Sequence, residues 1–227
     1  MTRRRVRMSE ISKILQEKLE KGRQYRNARE FRAEEKEMEN GDREMWVEGH
    51  ACTFDDPYLL YSNDLYEVRE QIAAGAFDKC DMTDVIMQYN HEGRVCARTR
   101  NNTLSVNIDV KGLFMRANLG GTELGKQIYT EISKGYTDRM SFGFHVAESE
   151  YSYDEQPGEN GKYQVMRTIK AIDKLYDVSC VSIPANDATD ISARSAADGV
   201  IEAVQKEISG KRAKAKLTAE CMALLSL

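Results

Sequence analysis

The chain is poor in histidine, proline and tryptophan, with three, three and one among 227 residues, and no two of its cysteines stand in C-x-x-C spacing. Each shortage excludes something. The five cysteines, Cys52, Cys80, Cys96, Cys180 and Cys221, are an odd number with too few histidines near them for a zinc site, so free thiols are expected. No run of about 18 apolar residues is present to cross a bilayer. The N-terminal stretch MTRRRVRMSEISKILQEKLEKG carries basic residues but lacks the apolar core of about 7 residues that a secretory signal needs. A cytoplasmic chain without membrane contact is expected. A surplus of positive charge is missing too. The net charge of −4 and pI near 5.6 argue against nucleic acid as a partner, because such binding draws on clustered cations.

What is present suffices for a packed core, since 41% of the residues are hydrophobic. Ile11, Ile14, Leu15 and Leu19 recur at helical spacing with charges between them, which predicts an amphipathic helix over 8–21. Asn40-Gly41 between two alternating stretches is a hairpin signal, and the folded domain is expected to begin near Ala28. A short helix is predicted from Asn63 to Phe77, ending at Gly75. DVIMQYN (84–90) has the continuous apolar character of a buried strand and runs into His91. Leu104, Val106 and Ile108 alternate strictly, the chain turns at Lys111-Gly112, and Leu113, Met115 and Ala117 carry it back as a hairpin. Thr122 is placed to cap a helix bearing Leu124, Ile128, Tyr129 and Ile132 on one face, with Gly135 to end it.

After the strand RMSFGFHV (139–146), ESEYSYDEQPGENGKY reads as a solvated loop or hairpin tip. QVMRTIKAIDKLYDVSCVSIP reads as two strands, broken near residues 172–174 and stopped by Pro184. A last helix over about 199–209 precedes the basic run GKRAKAK, which, like RRRVR near the start, reads as a tail. Many short strands, few helices and close turns predict a mostly β, α+β fold: a small closed β-barrel surrounded by helices. Three parts follow: an N-terminal helical extension (1–27), a main domain (28–198), and a C-terminal helix with a basic tail (199–227).

A serine in the RMSFGFHV strand is unremarkable alone, since a hydroxyl can face solvent or a carbonyl. A nucleophilic serine needs a base within hydrogen-bond reach and a third group to orient that base. His145 shares a strand face with Ser141, but four residues at roughly 3.3 Å each put it about 13 Å away. His50 lies in a strand pattern and reads as an ordinary half-exposed residue. His91 sits where a buried strand emerges into a loop, a place where scaffolds present functional groups. Asp177, an acid inside an apolar run, needs a partner if buried; an orienting role and a pairing with Lys170 or Lys174 are both open. A cysteine hydrolase using Cys96 or Cys180 has no motif support, and buried free cysteine is common.

Three blocks carry more. EQIAAGAFDKCDMTDVIMQYNHEGRVCARTRNNTLSV, GLFMRANLGGTELGKQIYTEISKGYTDRMSFGF and LYDVSCVSIPANDATDISAR resemble, in content, order and spacing, the prohead serine proteases of tailed bacteriophages, over about 70–194. The resemblance implies a fold similar to the herpesvirus assemblin proteases, working as a dimer. It implies a serine endopeptidase inside the assembling procapsid, in the host cytoplasm, that trims the scaffold-like segment of the major capsid protein and cleaves itself. The C-terminal helix and tail are a candidate for removal. Residue by residue, the histidine of the family's NH block falls on His91, the serine of its MSFGF block on Ser141, and the acid of its DVS block on Asp177. No metal or organic cofactor is implied. Assemblins carry a second histidine as third member, and where the family strand often continues with Arg or Thr this chain has His145. The rival class is a non-enzymatic scaffold or capsid-assembly protein that keeps the fold.

Overall fold

The computed structural model describes residues 5–7, 23–28, 32–37, 43–182, 201, 202 and 204–218. Two sheets carry the fold. One sheet is built on two long antiparallel strands, β11 (Arg139–Asp154) and β12 (Tyr163–Val181). β1 (Arg5–Arg7) and β2 (Gln24–Ala28) pair with β11, while β6 (Tyr66–Ile72) and β7 (Ile86–Tyr89) run parallel to β12. β5 (Tyr58–Ser62) flanks β6, and β8 (Glu92–Arg98) flanks β7. The second sheet has the order β3 (Arg32–Glu37), β4 (Arg43–Thr53), β10 (Gly112–Asn118), β9 (Leu104–Ile108). Among the described residues the sheets do not close into a barrel, which corrects that part of the expectation.

Apolar faces of both sheets meet in one core. Val47 and Ala51 of β4 and Leu113, Met115 and Ala117 of β10 join Met140, Phe142 and Phe144 of β11 and Val178 and Cys180 of β12. Helix α1 (Glu123–Ser133) closes one side through Ile128, Tyr129 and Ile132. Its start is the expected one: the Thr122 hydroxyl accepts from the Gly125 amide at 3.0 Å. Gly135 follows with φ +73, a left-handed position that glycine adopts without strain. The 104–118 hairpin stands as expected. β3 and β4 pair antiparallel, although the Asn40-Gly41 turn between them, and the helix expected over 8–21, lie outside the described residues. β2 joins the sheet upstream of Ala28, where the domain was expected to begin.

Four expectations are corrected. Residues 66–72 form a strand, not a helix, with Tyr66, Val68, Glu70 and Ile72 all buried at period two. Residues 149–154 continue β11, so the solvated connection is shorter than expected. The two runs before Pro184 are one strand, and its expected break is where β12 changes parallel neighbour, from β6 up to Ile169 to β7 from Asp177. The basic run GKRAKAK is helical, within a helix α2 spanning 204–218. Val204 of α2 packs with Tyr151, Tyr153 and Val165 in a second apolar cluster, and Lys211 Nζ donates to the Tyr153 hydroxyl at 2.9 Å. Among the described residues no helix is long and apolar enough to cross a membrane. Cys52, Cys80, Cys96 and Cys180 are free thiols.

A buried ionic cluster ties the first sheet together. Glu70 of β6 stands opposite Arg167 of β12 in the parallel register. It accepts from Arg167 Nη1 at 2.5 Å and Arg26 Nη2 at 3.0 Å, from Arg26 Nε, and from the Tyr58 hydroxyl. Burial alone would raise the Glu70 carboxyl, but the two guanidiniums outweigh it and hold the group at about 2. Because this lies below the ordinary 4.5, the stability Glu70 contributes is fully present above about pH 4.5 and is lost as pH falls toward 2. Glu70→Gln would remove the buried carboxylate that the Arg26 and Arg167 guanidiniums share, an expected loss of roughly 3 to 5 kcal/mol. Urea midpoints between pH 6 and 3 check both points: the variant starts lower and loses less on acidification.

Candidate active site

Strand periodicity brings the site together. In the β11–β12 register Ser141 stands opposite Ser179, and Gly143 opposite Asp177. Cross-strand partners project to the same face and successive residues to opposite faces. Met140, Phe142, Val178 and Cys180 therefore fill the core, while Ser141, Gly143, Asp177 and Ser179 share the other side. All four of those residues stand within the two longest strands of the protein, a rigid platform.

His91 arrives from the neighbouring strand. β7 runs parallel to β12 as far as Tyr89, and Tyr89 pairs with Glu92 across a two-residue turn formed by Asn90 and His91. Both turn residues are left-handed, at φ +51 and +61. That is the type I′ hairpin turn, whose twist suits its strands and whose first position favours Asn. Asn90 is pinned by its amide to the Cys180 carbonyl at 2.9 Å, and its side-chain oxygen accepts from the Ser182 amide at 3.0 Å. Left-handed backbone on a histidine costs on the order of 1 kcal/mol and persists where surrounding structure fixes it.

From that turn the imidazole bridges the other two residues. His91 Nε2 lies 2.7 Å from Ser141 Oγ, and His91 Nδ1 lies 2.6 Å from Asp177 Oδ1. The arrangement suits the neutral tautomer in which Nδ1–H donates to the carboxylate and Nε2 accepts from the serine hydroxyl. Ser141 and Asp177 are 1% and 0% exposed, while 15% of the His91 side chain remains exposed, so the site opens on the imidazole side. Asp177 has further partners. Ser179 Oγ donates to Oδ1 at 2.6 Å, and Arg23 Nη2 donates to Oδ2. The Tyr25 ring lies against His91, with centroids 4.2 Å apart.

Gly143 makes room for these contacts. A Cβ there would press on the Asp177 carboxylate, stand 2.7 Å from Arg23 Nε and 2.9 Å from Tyr25 Cε1. The glycine in SFGF is thus the gap through which the acid, the arginine and the tyrosine approach one another.

The remaining candidates stand elsewhere. His50 Nε2 pairs with Asp109 at 2.8 Å, and His145 Nδ1 pairs with Asp173 at 2.8 Å. Lys174, one of the cations considered for Asp177, instead bonds Asp81 at 2.9 Å. Burial pushes the Cys96 thiol up to about 11 and the Cys180 thiol up to about 12, so neither supplies thiolate near neutral pH. Sequence reasoning missed Arg23, Tyr25, Gly143 and Ser179. Ser179 had a signal, since it lies two residues from Asp177 on one strand. Arg23, 154 positions from Asp177, had none.

A model of the caudovirus prohead serine protease family matches residues 30–205. The chain belongs to this family. Membership of the prohead proteases implies a serine protease acting in the maturation of the phage capsid. Among solved structures, the capsid assembly protease gp21 of bacteriophage T4 is similar at 11% identity and a TM-score of 0.34, over 70% of this chain and 98% of that one. No curated protein sequence matches the chain. The family match begins at residue 30, so Arg23 and Tyr25 lie upstream of the matched span.

Proposed function

We propose that the protein is a serine endopeptidase of the procapsid in which Ser141 is the nucleophile, His91 the general base and Asp177 the group that orients it. The observation that carries this reading is the continuous hydrogen-bonded chain Ser141–His91–Asp177, at 2.7 and 2.6 Å. Ser141 Oγ attacks the scissile carbonyl while its proton passes to His91 Nε2. The tetrahedral intermediate collapses, the C–N bond breaks, and the imidazolium returns the proton to the leaving amine. Water, deprotonated by the same nitrogen, then releases the acyl group and restores the serine. Asp177 holds the Nδ1–H tautomer and stabilises the transient imidazolium.

The family supports the finer assignment of the substrate as the scaffold-like segment of the major capsid protein, with cleavage of the protease itself and action as a homodimer. A fluorophosphonate probe tests the chemistry, because it reacts with an activated serine and leaves an inert hydroxyl alone. Stoichiometric labelling that maps to Ser141, together with shortening of a coexpressed major capsid protein by intact mass, is the expected result. A folded protein that takes no label and leaves the capsid protein whole would be a non-enzymatic assembly factor.

A further inference from the structure

The hydrogen-bonded chain does not end at Asp177. Oδ1 is shared by His91 and Ser179, and Oδ2 faces Arg23. Arg23 precedes β2, the strand that pairs with β11 along Gln24–Phe144, Tyr25–Gly143 and Arg26–Phe142. Its guanidinium is held between two rings, 5.3 Å from the centroid of Tyr25 and 4.6 Å from that of Tyr176. The same short segment places Tyr25 on the imidazole and sinks Arg26 into Glu70. One face of Asp177 and one face of His91 are therefore furnished by residues 23–26, upstream of the matched family span.

We propose that Arg23 is a positioning residue for the proteolytic site, acting through Asp177, and that the 23–26 segment is an integral part of that site. The inference rests on the protease reading. A carboxylate held from one side only can rotate about its Cβ–Cγ bond. Arg23 fixes Oδ2, and in doing so fixes the lone pair of Oδ1 that receives His91 Nδ1–H. A charge-assisted bond from a fork-shaped donor stacked between aromatic rings is suited to that task. Arg26, anchored in the buried cluster, fixes the height of the segment on β11, so Arg23 meets Asp177 without a loop search.

The test uses the full chain as wild type, Arg23→Ala, Arg23→Lys and Ser141→Ala, with circular dichroism to establish folding. The rate of fluorophosphonate labelling reports nucleophile activation, and the proton resonance of His91 Nδ1–H reports the imidazole–carboxylate bond directly. Arg23→Ala is expected to label roughly 10- to 100-fold more slowly, the scale of loss that follows small misplacement of reacting groups. Arg23→Lys keeps the charge and recovers part of the rate, guanidinium ion at tens of millimolar partly rescues Arg23→Ala, and the Nδ1–H resonance moves in Arg23→Ala. A folded Arg23→Ala that labels at the wild-type rate with an unmoved resonance overturns the inference. If wild type itself takes no label, the protease reading fails, and the resonance alone then decides whether Arg23 positions the pair: moved supports it, unmoved overturns it.

Discussion

Ser141→Ala is expected to lose on the order of 10⁶ in proteolytic rate while remaining folded. The side chain is 1% exposed and stands in the middle of the β11–β12 ladder, where the change removes one oxygen and no backbone bond. The stability cost falls within the roughly 0.5 to 3 kcal/mol of ordinary point substitutions. His91 keeps its bond to Asp177, so the rest of the site stays assembled. The measurement is intact mass against time for the purified variant and wild type, alone and with the capsid protein. Wild type shortens its substrate; the variant leaves it whole. A folded Ser141→Ala that processes at the wild-type rate removes Ser141 from the nucleophile role.

The parts of the fold legible in the sequence are those whose burial follows hydropathy. The 104–118 hairpin and helix α1 put Leu, Val, Ile and Met inward at clean periods, and polar residues outward. Strand β6 broke that rule. Tyr66, Val68 and Ile72 keep period two only if Glu70 is counted as an inward residue, and a glutamate inside is credible only once Arg26 and Arg167 are known to meet it. Those partners lie 44 and 97 positions away, so the local pattern favoured a helix. The same reasoning divides the site. Ser141, His91 and Asp177 were reached through their blocks and through the need for a partner at a buried acid. Arg23 and Gly143 gain their meaning from the pairing of β2 alongside β11, which no local signal announces.

His91→Ala is expected to lose activity on the scale of Ser141→Ala, whereas His50→Ala and His145→Ala should stay within a few-fold of wild type. The contrast follows from placement. His50 and His145 bond Asp109 and Asp173, which are 43% and 54% exposed at the side chain, and neither approaches Ser141. Removing His91 takes away the imidazole that bonds both Ser141 and Asp177, while Asp177 keeps Ser179 and Arg23 as partners. Asp177→Asn should be milder, near 10⁴ by analogy with other triads, because the serine and imidazole persist in a poorer tautomer. A further variant separates chemistry from folding. His91 sits at φ +61, so His91→Gly relieves left-handed backbone strain and should be inactive yet melt no lower than His91→Ala. Capsid-protein cleavage by intact mass and thermal melts of all five variants supply the comparison. Equal loss in His50→Ala and His91→Ala, with both folded, would end the assignment of His91 as the base. Near-normal Asp177→Asn alongside a silent His145→Ala would instead move the third role to a second histidine.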